Sequence, residues 1–67
     1  SKQLEVYPNP VNTILFIKTE SKDEKELYNS VGQLLFSTKT NKIDVSLYSK
    51  GIYYLKVGIE IRKVMVD

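Results

Sequence analysis

Apolar residues alternate with polar ones at a period of two along much of this 67-residue chain. The clearest runs are ILFIK, IYYLKV and RKVMV, and residues that favour turns separate such runs. Alternation of this kind places one face of a strand against a core and the other face in solvent, and no segment has the period of a helix. About seven short strands, with a turn signal roughly every eight to ten residues, predict an all-β sandwich of antiparallel strands.

The same alternation predicts which side chains point inward. The charged segment at residues 21–26 interrupts it and leaves Leu27 as the clear inward residue of the third strand. We therefore expect this segment to be a solvated loop that shortens an edge strand. The expected core positions of the other strands are Leu4, Val6, Leu15, Ile17, Tyr53, Leu55, Val57, Val64 and Val66.

The stretch YPNPVN at residues 7–12 predicts a rigid corner between the first two strands. Pro8 and Pro10 cannot donate to a sheet ladder, and each restricts the residue before it to an extended backbone. Asn9 and Asn12 can close a turn through their side-chain amides.

Two further connections have recognisable turn chemistry. In NSVG, Gly32 suits the positive-φ position of a three-residue hairpin loop. In DVSLYSKG, Asp44 or Ser46 can accept hydrogen bonds from nearby backbone amides, and we expect Leu47 to enter the core. A turn at residues 58–60 should join the last two strands.

Composition excludes several classes of function. Ten Lys and Arg residues against eight Asp and Glu residues give a net charge of +2, too weak and too mixed for a nucleic-acid interface. The chain has no His and no Cys, which makes catalysis improbable and leaves no ordinary ligands for a transition metal, and we expect no cofactor. With no apolar run near 18 residues, direct membrane insertion is not expected. The length fits a single domain over residues 1–67, and the abrupt start suggests a piece of a larger protein.

Two groups of side chains allow a binding hypothesis. Asp23, Glu24 and Glu26 are close in sequence and offer a calcium site, although interleaved lysines make a solvated face the preferred interpretation. Exposed tyrosines can stack on sugars or bases, and Tyr28, Tyr48 and Tyr54 are candidates to face outward. Tyrosine is also an ordinary residue of half-buried strands, which is the interpretation that we prefer for all three.

The corners, taken in order, resemble a known family. YPNPVN, ILFIK, LYNSVGQLL, IDVSLYSKGIYYLKV and RKVMV together resemble the type A C-terminal sorting domain of type IX secretion cargo proteins from Bacteroidetes. The resemblance covers nearly the whole chain, and it implies a seven-stranded immunoglobulin-like β-sandwich that serves as an address rather than as an enzyme.

The resemblance also implies motif residues and partners. The chain departs from the family pattern at Lys25, where an apolar residue is usual, and at its acidic last residue, Asp67. The partners implied are an N-terminal cargo domain, the outer-membrane translocon and a sortase-like peptidase, with passage through the periplasm to the cell surface or medium. The motif residues implied are Pro8, Asn9, Pro10, Asn12, Tyr28, Asn29, Gly32, Gln33, Asp44, Ser46, Leu47, Gly51, Tyr53 and Lys63.

Two other functions remain open on the sequence. One is a small adhesion or carbohydrate-binding module, which outward tyrosines clustered on one face would favour. The other is a stability cap on a larger enzyme. Each motif residue also has a structural interpretation, in which the prolines shape the corner, the glycines permit positive φ, and Leu47 and Tyr53 fill the core.

Overall fold

A computed structural model describes residues 4–67. This part of the chain forms seven strands and no helix, so it contains no helix that could cross a membrane. The predicted first strand began at Gln3, which lies outside the described residues. The strands are β1 (Glu5–Tyr7), β2 (Ile14–Lys18), β3 (Lys25–Asn29), β4 (Leu34–Thr38), β5 (Lys42–Asp44), β6 (Gly51–Val57) and β7 (Glu60–Val66).

The strands form two antiparallel sheets, which confirms the predicted all-β sandwich. One sheet has the order β1-β2-β5 and the other has the order β4-β3-β6-β7. The chain changes sheet after β2, after β4 and again after β5, as in sandwiches of the immunoglobulin type. The fourth strand belongs to the larger sheet here, whereas in an immunoglobulin constant domain it lies in the sheet of the first two strands.

The core lies between the sheets and follows the predicted alternation. In β2, Leu15 and Ile17 are buried while Phe16 and Lys18 are exposed. The same pattern holds in β6 and β7, which pair along their full length and meet at the tight turn at Gly58 and Ile59. The buried apolar residues are Leu4, Val11, Leu15, Ile17, Leu27, Ile43, Val45, Tyr53, Leu55, Val57, Val64 and Val66, and Val6 packs against them.

The third strand differs from the prediction. β3 is a central strand that pairs with both β4 and β6, and not a shortened edge strand. It begins at Lys25, whose side chain points inward and is only 2 % exposed. The lysine is tolerated because its stem covers apolar surface while its Nζ donates to the carbonyl of Lys39 at 3.2 Å. The solvated loop is therefore limited to residues 19–24.

Tyr48, and not Leu47, packs against the core in the β5–β6 connection. Leu47 is 96 % exposed, so the prediction that it fills the core is wrong. Ile43 and Val45 fill that part of the core, and the amide of Tyr48 then donates to the carbonyl of Val45 at 3.0 Å. This turn directs Leu47 to solvent and packs Tyr48 against the core, where its ring lies 5.8 Å from that of Tyr53.

Candidate functional site

The proline corner is attached to the last strand of the domain. The side-chain amide of Asn9 donates to the carbonyl of Lys63 at 2.9 Å, and its Oδ1 accepts from the amide of Met65 at 2.9 Å. Val11 continues the contact, since its amide donates to Met65 at 2.8 Å and its carbonyl accepts from Asp67 at 2.8 Å. Asn9 thus pairs with β7 as a neighbouring peptide group would, and the prediction that it closes a local turn is wrong.

The two late basic residues have different environments. Alternation places Arg62 on the inner side of β7, and its Nε donates to the carbonyl of Leu4 at 3.0 Å. Lys63 is exposed on the outer side, with Asn9 bonded to its backbone. Arg62 therefore joins the first and last strands, while the Lys63 side chain is free to contact solvent or a partner.

The β3–β4 hairpin is closed by Asn29. Its Oδ1 accepts from the amides of Val31 and Gln33 at 3.0 and 2.9 Å, and its Nδ2 donates to the side chain of Gln33 at 2.9 Å. Gly32 has a φ of +88°, as predicted for this loop. These motif residues satisfy the turn's polar groups and set the register of the hairpin.

The late motif is also a folding unit. Asp44 Oδ1 accepts from the amide of Ser46 at 2.9 Å, and hydrogen bonding from the Ser46 side chain and backbone holds the pKa of Asp44 below its usual value. The Tyr53 hydroxyl donates to the carbonyl of Ser49 at 2.6 Å, and Gly51 begins β6 two residues earlier. The motif thus fixes the path of the chain from β5 to β6.

The outer face of the four-stranded sheet brings two motifs together. Tyr28 of the hairpin motif lies opposite Tyr54, and Tyr54 lies opposite Lys63 of the terminal motif. Leu34 extends this row on the other side of Tyr28. We call this outer face the tyrosine face; it comprises Tyr28, Leu34, Ile52, Tyr54, Lys56, Ile61, Lys63 and Met65.

The tyrosine face is apolar with a basic margin. Leu34, Ile61 and Met65 are about half exposed, and a shallow groove of about 610 Å³ lies over Tyr28 and Tyr54. The Tyr28 hydroxyl donates to a Glu26 oxygen at 3.0 Å, and this bond, with desolvation and the negative charge of Glu26, raises the pKa of Tyr28. Glu26 also lies on this outer face, opposite Lys56, and keeps its negative charge, so the two lysines Lys56 and Lys63 leave the face only weakly positive.

These features suit the binding of a partner molecule. Within residues 4–67, no cluster of three acidic side chains is placed to hold a metal ion, so the calcium site suggested by Asp23, Glu24 and Glu26 is not formed. Hydroxyl, amide and ammonium groups around exposed apolar side chains can contact a protein or a sugar.

The motif residues form three separate structural groups. Asn9 joins Lys63, Asn29 joins Gln33, and Asp44 joins Ser46, while within residues 4–67 the Asn12 side chain makes one hydrogen bond, accepting from the hydroxyl of neighbouring Thr13 at 3.4 Å. The sequence alone does not reveal that Tyr28 and Tyr54 are paired. Their strands' alternation placed both outward, but only the β3–β6 register, Tyr28 opposite Tyr54, makes them neighbours.

Comparison with known proteins identifies one family. The family model described as "Secretion system C-terminal sorting domain" matches residues 5–66. The match spans all seven strands, from the first residue of β1 to the last residue of β7. Neither the curated proteins nor the solved structures gave a match.

Proposed function

Because this chain belongs to the family of secretion system C-terminal sorting domains, the sorting signals of type IX secretion, we propose that it directs an attached cargo protein across the outer membrane. The family is one of signals and not of enzymes, and it implies an N-terminal cargo and delivery to the cell surface or extracellular space. We further propose periplasmic transit, recognition of the domain by the translocon, removal by a sortase-like peptidase, and attachment or release of the cargo.

The observation that carries this proposal is the extent of the family match. It covers the corner, the hairpin, the late motif and the terminal strand together, and these are the parts whose hydrogen bonds build the sandwich. The signal would then be the surface of the folded domain and not a short linear motif. Motif residues such as Asn9 and Asn29 would act indirectly, because their side chains make hydrogen bonds within the domain that hold its surface in place.

A carbohydrate-binding module is the second candidate, and one observation favours it. Tyr28 and Tyr54 are neighbours on one face, with Lys56 beside them. Aromatic side chains on a flat sheet face can stack on sugar rings. Such a module would bind after export but would not itself cause export.

A transfer experiment separates the two candidates. Residues 1–67, preceded by a short linker, are fused to the C-terminus of a periplasmic reporter in a host with type IX secretion. We expect the reporter to appear outside the outer membrane, as it does with an established sorting domain in the same fusion. A reporter that stays in the periplasm while the established domain exports it would contradict the proposed function and favour a binding module.

A further inference from the structure

The edges of the two sheets are protected unequally. β7 is covered by Asn9 and Val11, which bond to its outer backbone groups. β1 and β5, the edges of the smaller sheet, have three residues each and carry charged side chains. Short length, charge and covering segments are the usual protections of an edge strand.

β4 is the remaining edge, and its only protection is the bulge beside Leu27. It has five residues, LLFST, with no charged residue and no proline. Leu34, Leu35 and Phe36 are 52 %, 37 % and 43 % exposed. Phe36 pairs with buried Leu27 and so lies on the inner side of its sheet, yet the smaller sheet leaves it uncovered.

The backbone of β4 has hydrogen-bonding groups directed away from the domain. The amide of Asn29 donates to the carbonyl of Gln33, so the backbone N–H and C=O of Asn29 point toward β4. Because backbone groups alternate in direction along a strand, the N–H and C=O of Leu27 also point toward β4, and those of Glu26 point toward β6. Ser37 lies opposite Glu26, and its N–H and C=O therefore point outward from the sheet.

From these groups we propose that the β4 edge is the docking site for an extended strand of the secretion machinery, which adds to the four-stranded sheet. The outward N–H and C=O groups can hydrogen-bond to the main chain of an extended partner strand. The exposed Phe36 side chain can contact an apolar side chain on the adjoining residue of the partner strand. The pairing would be short, because the register shift beside Leu27 makes Leu35 an extra residue in β4.

A second copy of the domain suits this edge less well. Two-fold pairing of β4 with itself would bring two bulges into one short ladder, whereas a regular strand from a partner meets a single bulge. The tyrosine face, by contrast, has its backbone paired on both sides in β3 and β6 and so offers side chains only.

The test removes a single outward N–H. Ser37→Pro should preserve the domain, since proline is tolerated at an edge position whose N–H faces solvent, but it should block strand addition. Ser37→Ala keeps the N–H and is the matched control. This inference rests on the proposed function, so the readout is export of the reporter fusion, with urea unfolding and sedimentation of each purified domain alongside it.

We expect Ser37→Pro to lower export at least about fivefold, the effect of roughly one lost hydrogen bond, and Ser37→Ala to export normally. Equal export of the proline variant would overturn the edge proposal and leave the sorting function intact. A wild-type fusion that is not exported would overturn both. A wild-type dimer that Ser37→Pro converts to a monomer would make a second copy the occupant and overturn the proposed partner.

A second pair of variants applies if Ser37→Pro does not fold. Phe36→Lys places on the open edge the charge that protects many natural edges, and Ile59→Lys places the same charge on a turn residue that is 97 % exposed and is not a motif residue. Export reduced by Phe36→Lys alone supports the proposal. Equal export of the two lysine variants overturns it.

Discussion

Asn9 shows how one side chain can complete a sheet where the backbone cannot. Pro8 and Pro10 flank it and have no N–H to offer β7. The carboxamide of Asn9 has the donor and acceptor of a peptide group, and it bonds to Lys63 and Met65 across 54 and 56 residues of sequence. The corner is therefore a clasp between the first and last strands, and this explains the asparagine between two prolines.

Asn9→Ala should be destabilising because it leaves the Lys63 carbonyl and the Met65 amide without these partners. Loss of two such bonds at a partly open edge predicts a decrease in the free energy of unfolding of about 1–3 kcal/mol, measured by urea denaturation. Asn12→Ala is the matched control, since among the described residues the Asn12 side chain makes one long hydrogen bond, to the Thr13 hydroxyl, and it should change the midpoint little. Equal midpoints for the two variants would show that the clasp does not stabilise the domain.

Arg62 and Lys63 show that neighbouring charges can have different roles. The alternation of β7 places Arg62 inward, where its guanidinium bonds to the Leu4 carbonyl, and places Lys63 outward. Replacing both together would combine a change in folding with a change in surface charge. Lys63 is therefore the residue to vary alone.

Among the elements, the β3–β4 hairpin is the one whose loop chemistry was most completely predictable. A glycine three residues after an asparagine, between two alternating runs, indicated a short loop with positive φ, and the loop forms with Gly32 at +88°. Asn29 closes it from within. Information within five consecutive residues was sufficient, because the turn depends on local bonds.

Gly32→Val should destabilise the hairpin. A side chain at this position would meet no heavy atom within 4 Å, so its cost comes from the backbone conformation and not from a clash. A β-branched residue at this φ is expected to lower the free energy of unfolding by about 1–3 kcal/mol, visible as a lower urea midpoint. Gly32→Asn should cost less, because asparagine tolerates positive φ, and equal costs for the two would contradict the conformational explanation.

Other elements were not predictable from local pattern. The charged run before Leu27 predicted an exposed edge, but Lys25 is buried because the Lys39 carbonyl, 14 residues away, receives its ammonium group. Leu47 is the apolar residue after Ser46, but Ile43 and Val45 already fill the space beneath that loop. Both errors arose where the contacts of neighbouring or distant residues outweighed the character of one residue.

At the scale of the whole molecule, the two faces of the four-stranded sheet differ. The inner face carries the core, and the outer face brings Tyr28 of β3 beside Tyr54 and Lys63 of the distant β6–β7 hairpin. Strand alternation located these residues on outward positions, but sheet order was needed to show that they are neighbours. With β4 at one side of this face, a partner strand added there would also reach Leu34 beside Tyr28.

Lys63→Gln tests whether the charge of this face is recognised. The side chain is exposed and Asn9 bonds only to its backbone, so the substitution should leave the free energy of unfolding within about 0.5 kcal/mol of the wild type. Export of the fused reporter should fall by about two- to tenfold, because a charge at the margin of an interface mainly accelerates encounter.

Lys50→Gln is the matched control, since it removes the same charge from an exposed loop residue outside the tyrosine face. Lys50→Gln should leave export unchanged if export depends on the position of the charge at Lys63 and not on the net charge of the domain. Equal losses in both variants would point to net charge. A folded Lys63→Gln domain exported at the wild-type rate would show that the Lys63 charge is not recognised. Recognition by the translocon would then have to depend on the apolar side chains and on the β4 edge. Ser37→Pro tests that edge separately, because it removes a backbone N–H and leaves every charge in place.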